Sequence, residues 1–600
     1  MKHRPTVRLR VLVPVLLILV IINVLLMARL VWPLYFPGAQ PEPVAVDISP
    51  VPTEQAAAAP ENPEPFPMPS LAPDASLQEA LRQQGAIVLS MQDGAYAHLF
   101  AYNPSYLPLT RLTNGDWDDI HPSASPDGTK LAFASRRSGF WDLYMLDLGS
   151  GDLVQLTSTA DYDGAPTWSP DGEWLAYESY ANGNLDIYLC SVSDLTQPPI
   201  RVTDDAAPDT APDWSPAGRE LAFVSRRSGE DEIWLLKLDS TTAERFTNLS
   251  RSAGSREASP AWSPDGSTLA WSSEADGLEV IQVWERTAQP GNTRPAGAGA
   301  QPVWSPAGDA LLAQVRTPNQ NGVALYNARS GLIEMPVEIL PGEVRGMDWQ
   351  HSTFGDSVLA ALGRASNEQP AAVYKAVFTK FPIAPAGRFS VVALDDVQAP
   401  YPLLHDAVDE AFRALRQDVA ARTGWDFLGN LENAFLPLTQ PSAPGMEEDW
   451  LYTGRAFNAN PVLTHAGWMA LVREDINGRT YWRVYLKARY QDGSQGMPLT
   501  RPAWDLDARF NGDAKVYEQG GQLAAIPEGY WVDFTELAGR YGWERQPALI
   551  NWLTYYPAAR FNQFVHREGL DWASAMAELY PPEALSAGLV DGAQAPPATP

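Results

Sequence analysis

Short runs of alternating apolar and polar residues recur along the middle of the chain. Two of them, LAFAS at 131–135 and LAFVS at 221–225, each follow a Ser-Pro-Asp-Gly or Ser-Pro-Ala-Gly segment. Because proline restricts φ and glycine tolerates a positive φ, these four-residue segments predict tight turns. Strands this short, separated by turns this frequent, predict a mainly β structure.

The pattern repeats through the middle of the sequence with a nearly constant period. The residues just before the Ser-Pro turns, or at the equivalent position, lie 42–48 residues apart and are Ala124, Trp168, Trp214, Trp262, Trp304 and Trp349. That period predicts one four-stranded propeller blade per copy.

The two ends of the repeat complement each other. Residues 86–113 contain three predicted strands without a first one, whereas the strand around Trp349 lacks partners. Pairing the late strand with the early ones would close the ring and remove exposed sheet edges. We therefore predict a six-bladed β-propeller over 81–380, with a seventh blade as the alternative if AVYKAVF, around Tyr374, is a strand.

The N-terminus predicts a membrane anchor. Basic residues in 1–10 precede an apolar stretch at 11–36, which predicts a single transmembrane helix with a cytoplasmic stub and an extracytoplasmic bulk. A cleaved signal peptide is the alternative. Residues 37–80 are rich in proline and alanine and predict an extended linker, and 586–600 predict a disordered tail.

The last third of the chain has a different pattern. Residues 403–423 carry apolar side chains at helical spacing and are followed by Gly424, which predicts a capped helix. Strands at 468–474 and 480–486 flank Asn477-Gly478, a favoured hairpin turn. Further helices are predicted at 552–568 and 572–579. We therefore predict an α+β domain over 381–585.

The composition excludes several kinds of partner and site. The formal net charge of −29 makes nucleic acid an improbable partner, and a single cysteine excludes an intrachain disulfide. His405, His465 and His566 lack metal-binding spacing and are predicted to be surface or capping residues. A set of aromatic residues in the last third of the chain predicts either a packed core or a sugar-stacking groove. The set is Trp450, Tyr452, Trp468, Trp482, Trp504, Tyr530, Trp531, Trp543 and Trp552. Neither a metal nor a cofactor is predicted.

Charged residues near the ends of the predicted strands are the candidate binding residues. Acidic residues precede the first strand of successive copies, which places them on one face of the ring. They would bind calcium or a basic partner, or serve only as solvated turn residues; the arginines, in two identical Ser-Arg-Arg-Ser-Gly loops, would bind an anion. The candidates are Asp116, Asp118, Asp119, Asp161, Asp163, Asp204, Asp205, Arg136, Arg137, Arg226 and Arg227.

The full repeat reads W-S-P-D-G, then L-A-F-x-S, D-I-Y and L-T, in five copies that begin at His121, Ala165, Ala211, Ser259 and Gln301. It resembles the WD40-like (PD40) propeller repeats of the TolB family. The resemblance implies an exported protein with a protein- or glycan-binding face. Oligopeptidases also carry propellers, but they need a Gly-x-Ser-x-Gly motif, and none follows the repeat here.

A second, shorter resemblance concerns the segment 449–458. It is similar to the S-x-H-x-x-G-x-A-x-D motif of the M15 (D-Ala-D-Ala carboxypeptidase and hedgehog-like) family, in which the His and Asp bind zinc. Gly454 matches and Arg455 follows it, but Leu451 stands at the His position and Asn458 at the Asp position. Leucine cannot bind a metal, so the resemblance implies a pseudoenzyme whose cleft retains a peptidoglycan-like peptide.

These features predict a membrane-anchored, extracytoplasmic binding or scaffold protein that is not an enzyme. Its partner would be a protein or a peptidoglycan-like ligand of the cell envelope. The alternative is a zinc-dependent M15-like peptidase, or another envelope hydrolase, in the C-terminal domain. A sensor role ranks last because the cytoplasmic stub, residues 1–10, leaves no room for an output domain.

Overall fold

A computed structural model describes residues 85–103, 107–351, 372–378, 389–441, 446 and 448–585. The predicted anchor at 11–36, the linker at 37–80 and the tail at 586–600 lie outside these residues. Within the described ranges, no helix is both long and apolar enough to cross a membrane.

Six four-stranded antiparallel sheets occupy residues 86–350. Their strands are β1 (Ala86–Asp93), β2 (Tyr96–Asn103), β3 (Leu107–Arg111), β4 (Asp119–Ala124), β5 (Lys130–Ser135), β6 (Asp142–Asp147), β7 (Leu153–Gln155), β8 (Asp163–Trp168), β9 (Trp174–Ser179), β10 (Asp186–Ser191), β11 (Ile200–Arg201), β12 (Asp209–Trp214), β13 (Glu220–Ser225), β14 (Glu232–Lys237), β15 (Phe246–Asn248), β16 (Arg256–Trp262), β17 (Thr268–Ala275), β18 (Leu278–Glu285), β19 (Thr293–Ala298), β20 (Ala300–Trp304), β21 (Ala310–Arg316), β22 (Asn321–Asn327), β23 (Ile333–Leu340) and β24 (Val344–Gln350). The prediction of a mainly β chain is confirmed.

The late strand completes the first sheet. β24 pairs with β1, with Trp349 opposite Ile87, so that this sheet has the order β24-β1-β2-β3. The other five sheets each use four consecutive strands. The first strands β4, β8, β12, β16, β20 and β24 contact one another in succession, and β24 contacts β4 in turn. The strand expected around Tyr374 is wrong, because residues 372–378 are described and form none.

The repeated tryptophan joins each sheet to the one before it. Trp168 lies in one hydrophobic cluster with Ala134 and Leu143 of the preceding sheet, and its indole Nε1 donates to the Ser123 carbonyl at 3.0 Å. Trp304 packs in the same way and donates to the Ala261 carbonyl at 2.9 Å. Removing such a buried aromatic side chain typically costs about 3–5 kcal/mol. The sequence period is therefore the period of the contacts between sheets.

Each innermost strand except β24 contains a bulge before a proline. Its register against the next strand shifts there, and the residue before the proline has φ between 47° and 53°. Proline cannot donate a hydrogen bond to the ladder, so it sits where the ladder is interrupted. The bulged residues are His121, Ala165, Ala211, Ser259 and Gln301.

Residues 391–579 combine short strands with helices, and we call this region the C-terminal domain. Its strands are β25 (Val391–Ala393), β26 (Leu403–His405), β27 (Leu431–Asn433), β28 (Ala456–Ala459), β29 (Met469–Ile476), β30 (Arg479–Lys487), β31 (Met497–Pro498), β32 (Trp504–Asp505), β33 (Gln522–Leu523), β34 (Tyr530–Asp533), β35 (Glu544–Arg545) and β36 (Gln563–Val565), and its helices are α1 (Asp409–Thr423), α2 (Val462–His465), α3 (Ala514–Glu518), α4 (Phe534–Arg540) and α5 (Trp572–Leu579). The larger sheets have the orders β27-β28-β36-β35 and β29-β30-β34-β31.

The local sequence signals in this domain predict its caps and its hairpin turn correctly but not all of its helices. Gly424 caps α1 with a φ of 73°, and Asn477 and Gly478 turn the β29–β30 hairpin with φ of 51° and 73°, as predicted. The helix begins at Asp409 rather than 403, because 403–405 pair with β25 as strand β26. The helix predicted at 552–568 is wrong, since that segment ends in β36.

Candidate functional site

One cavity of the described chain is a channel of about 920 Å³ along the innermost strands of the six sheets. The prolines of the Ser-Pro turns line it at one end, and most of them are exposed to solvent. We call this end the turn end. Its prolines are Pro126, Pro170, Pro216, Pro264 and Pro306.

The channel wall carries two aspartates from different sheets. Asp213 accepts hydrogen bonds from the Trp262 backbone N–H at 2.6 Å and from Thr167 Oγ1 at 3.2 Å. Asp348 accepts one from the Ala124 N–H at 2.6 Å. Burial raises the pKa of both carboxyls, and that of Asp213 reaches about 7 with Asp348 nearby. The wall therefore offers one carboxyl, that of Asp213, that gains a proton near pH 7, and a second whose pKa is also raised.

The opposite end of the channel lies against the C-terminal domain, and we call it the covered end. Asp118, just before β4, forms ion pairs with Arg422 at 3.2 Å and with Arg540 of α4 at 3.8 Å. Arg345 of β24 pairs with Glu536 of α4. Burial alone would raise the pKa of Asp118, but Arg540 and Arg422 hold it well below its usual range. Charged Asp118 thus favours the docked C-terminal domain.

More contacts extend this interface around the covered end. Arg483 of β30 pairs with Glu343 at 2.5 Å. The Trp141 indole donates to the Gly496 carbonyl at 3.1 Å, and the Tyr180 hydroxyl accepts from the Gly529 N–H at 2.9 Å. These partners come from several sheets and several C-terminal strands. The C-terminal domain therefore closes this end of the channel, which no local sequence signal indicated.

The predicted acidic residues divide into buried and exposed positions. Asp118, Asp119 and Asp163 are buried, whereas Asp116 and Asp204 are exposed and Asp161 and Asp205 are half-buried. Burial raises the pKa of Asp163 to about 7. The structure places Asp118 in the contact with the C-terminal domain and the exposed pair in solvent. A binding role for this set stays a prediction.

Three of the predicted arginines are held by their own sheets, and Arg136 is held by the C-terminal domain. Arg137 pairs with Asp119 at 2.9 Å, and Arg227 pairs with Asp209 at 2.8 Å. Arg226 pairs with Asp231 at 3.1 Å, and Arg136 donates to the Ser494 carbonyl of the C-terminal domain. All four therefore have protein partners, and their proposed role in binding an anion remains a prediction.

The segment similar to the M15 motif is packed in the C-terminal core. Leu451 is 3% exposed and contacts Trp450 and Val565. Arg455 is 1% exposed, and its guanidinium donates to Glu578 and Glu568, both at 2.8 Å.

The remaining motif residues also have structural roles. Gly454 has a φ of 67°, and the Asn458 amide lies 3.4 Å from Glu432. In the described ranges, no group of three or more His, Cys, Asp and Glu side chains could hold a metal ion. The M15 resemblance stays a prediction.

Two histidines that sequence spacing assigned to the surface are buried. His405 is 0% exposed and His566 is 4% exposed, because strands β26 and β36 bring both beside Arg455. Burial, with Arg455 close by, lowers the pKa of His405 to about 3. His465 is exposed and lies 3.3 Å from Asp507. The surface alternative is therefore wrong for two of the three, whereas His405 Nδ1 accepts from the Ala407 N–H at 3.1 Å just before α1, which is compatible with the capping alternative.

Most of the aromatic residues singled out in the last third of the chain are buried, which favours the packed core over the sugar-stacking groove. Trp482, Trp543 and Trp552 are at most 5% exposed and lie in one hydrophobic cluster. Trp468 and Trp504 are half-buried and pack against that cluster. Most of the set therefore stabilises the domain.

Part of the sequence that forms these sheets matches a known protein family. Residues 109–207 and 196–338 match the TolB beta propeller domain. The curated Protein TolB homolog of Chlorobium luteolum is 32% identical over 76 residues, which are 13% of this chain and 17% of that relative. The chain thus spans less than a fifth of the relative it matches.

Two solved structures are also similar. TolB from Acinetobacter baumannii is 22% identical, with a TM-score of 0.40 over 44% of this chain and 66% of that chain. The putative TolB from Agrobacterium tumefaciens is 21% identical, with a TM-score of 0.32 over 38% of this chain and 92% of that chain.

Proposed function

We propose that this chain is a non-catalytic binding or scaffold protein of the cell envelope, which recognises a protein or peptidoglycan-like ligand at the turn end of its channel. The six sheets are the blades of a closed propeller in this proposal. Residues 11–36 anchor the chain in the membrane as a single span, and the bulk is extracytoplasmic. The match to the TolB beta propeller domain supports the fold on which this rests.

One observation carries the choice of the turn end. The C-terminal domain lies over one end of the channel, whereas exposed prolines surround the other. A ring of prolines is rigid and partly apolar, so a ligand that contacts it loses little side-chain entropy on the protein side. The wall behind it offers carboxyl groups and backbone polar groups that would fix the ligand's orientation.

The test uses the full-length protein in a mild detergent. Pro170→Arg combined with Pro264→Arg places two long charged side chains at the turn end, and Leu195→Arg places one on an exposed loop of the β10–β11 connection. Immobilised proteins are exposed to envelope proteins and, separately, to purified muropeptides. We expect the wild type and Leu195→Arg to retain the same ligand and the double variant to lose it.

Two results would count against the proposal. The turn end is not the binding face if all three proteins retain the ligand equally. The binding role itself fails if the wild type retains neither an envelope protein nor a muropeptide. Circular dichroism of the double variant checks that the sheets remain folded.

The alternative, a zinc-dependent M15-like peptidase, has a separate readout. The position of Leu451 in a hydrophobic cluster supports the non-catalytic proposal, since leucine supplies no metal ligand there. Stoichiometric zinc in the purified protein, together with chelator-sensitive cleavage of muropeptides, would favour the peptidase instead.

A further inference from the structure

A second cavity lies beside the covered end of the channel. It measures about 970 Å³ and is formed by β18, β21 and β23 of the propeller and by the β29–β30 hairpin of the C-terminal domain. We call it the side crevice. Eight charged side chains, four arginines and four glutamates, line both this crevice and the channel. The two cavities therefore share one charged wall.

Most charges near this wall have a close partner. Glu274 pairs with Arg256 at 2.7 Å, and Glu474 pairs with Arg545 at 2.6 Å. Arg316 pairs with Glu279. Each carboxylate in these three pairs is thus already neutralised by an arginine other than Arg501.

Arg501 is the exception among the arginines of the shared wall. Its nearest carboxylates are Glu274 at 3.8 Å and Glu474 at 3.9 Å, both beyond hydrogen-bond distance. Among the described residues, its guanidinium makes no hydrogen bond, although its side chain is only 29% exposed. A guanidinium has five N–H donors, so this one presents donors to the cavities that no described residue accepts from.

Neighbouring groups keep this charge in place. Burial would lower the pKa of Arg501, but Glu274 and Glu474 raise it above its usual value. Burial, with Arg501 and Arg483 close by, lowers the pKa of Arg316 to about 10. Arg316, Arg483 and Arg501 thus lie close together, and the neighbouring glutamates offset part of their mutual repulsion. An anion beside Arg501 would offset more of it.

We propose that Arg501 binds the carboxylate of a ligand whose apolar part lies in the side crevice. The planar guanidinium matches a carboxylate with two parallel hydrogen bonds. Glu274 and Glu474, both within 4 Å of Arg501, would repel a doubly charged phosphate more strongly than a singly charged carboxylate. The ligand is therefore a monocarboxylate.

The rest of the crevice indicates the apolar part. Leu278, Val337 and Ile339 line it and are 64%, 43% and 55% exposed. Covering them with an apolar group would remove their exposed apolar surface from water and so favour binding. Two sources share this chemistry, a free aliphatic acid and the C-terminus of an apolar peptide. The proposal does not depend on binding at the turn end.

Calorimetric titration of the full-length protein tests it with defined probes. Hexanoate and N-acetyl-leucyl-leucine represent the two sources, and hexylamine and the C-terminal amide of the same dipeptide are their matched counterparts. We expect at least one carboxylate to bind and neither counterpart to do so. Binding of hexanoate alone indicates the aliphatic acid, and binding of the dipeptide alone indicates the peptide terminus.

Variants then locate the site. Arg501→Gln should weaken carboxylate binding at least tenfold, and Arg501→Lys should weaken it less, since lysine keeps the charge without the planar fork. The control is Arg219→Gln, which removes an exposed arginine paired with Asp239 and should bind as the wild type. Equal affinity of Arg501→Gln and wild type, or no carboxylate binding by the wild type, would overturn the proposal. Arg501→Lys decides if Arg501→Gln does not fold.

Discussion

The two ends of the propeller channel differ in the sequence separation of the residues that stabilise them. At the turn end, Ser125 Oγ donates to Asp127 at 2.6 Å and accepts from the Lys130 N–H at 2.9 Å, all within six residues. At the covered end, Arg345 pairs with Glu536, 191 residues later, and Arg540 reaches the Ala95 carbonyl, 445 residues earlier. The contacts of the turn end are local and recur from turn to turn, whereas those of the covered end depend on the C-terminal domain.

This difference separates what each end can do. A turn that satisfies its own polar groups needs no covering layer, so it can face solvent and a ligand. The charges of the covered end are buried, and each needs its partner from the C-terminal domain to offset the cost of leaving water. We therefore expect substitutions at the covered end to change stability most, and those at the turn end to change it less.

The largest effect should come from Glu536→Gln. This change leaves Arg345 and Arg540 without their shared carboxylate in a buried interface. Removing one partner of a buried pair typically costs about 3–5 kcal/mol, and the loss should appear as a lower urea midpoint of the full-length protein. Arg219→Gln breaks an exposed pair and should cost about 1 kcal/mol or less. Equal midpoints for the two variants would remove the distinction between the ends.

The same contrast explains what the sequence predicts. The turn, the strands and the period of the repeat all depend on residues close in sequence, so the sheets and the closing role of the strand around Trp349 were readable in advance. The turn-end prolines belong to those same segments. Only their relation to an uncovered channel end required the structure.

The contacts of the covered end could not be predicted from the sequence, because the residues that pair there belong to no local sequence motif. Asp118 was singled out as one of several acidic turn residues, yet its partner Arg422 lies 304 residues away in α1. Arg501 has neither a motif nor a repeat position. His405 and His566 were assigned to the surface because spacing alone does not show that two strands bring them beside one buried arginine.

A smaller effect is expected at the turn end, where the repeat offers a matched pair of glycines. Gly172 and Gly266 occupy the same turn position with φ of 71° and 66°. A Cβ at Gly172 meets nothing within 4 Å, whereas one at Gly266 would lie 2.7 Å from the Ala217 Cβ of the preceding turn. Gly172→Ala should cost about 1–2 kcal/mol for the left-handed backbone alone, and Gly266→Ala should cost more.

The difference between the two alanine variants measures the contact between neighbouring turns. It is obtained from urea midpoints under identical conditions. Equal destabilisation would mean that neighbouring turns move apart freely, and the turn end would then lack the rigidity that the proposed binding face requires.

An effect that appears only as a pH dependence should come from the channel wall between the two ends, through Asp213→Asn. The pKa of Asp213 is raised by burial from 3.8 to about 7, so between about pH 4 and pH 7 the native carboxyl keeps a proton that the unfolded chain releases. The native state then binds more protons, and this group makes stability fall as pH rises through that window. Asparagine does not titrate and removes that slope. Relative to wild type, the variant should therefore gain about 2 °C in Tm between pH 5 and pH 8. A Tm difference between Asp213→Asn and wild type that stays constant from pH 5 to pH 8 would contradict this prediction. It would indicate that solvent reaches the Asp213 carboxyl and that the open part of the channel extends past the wall.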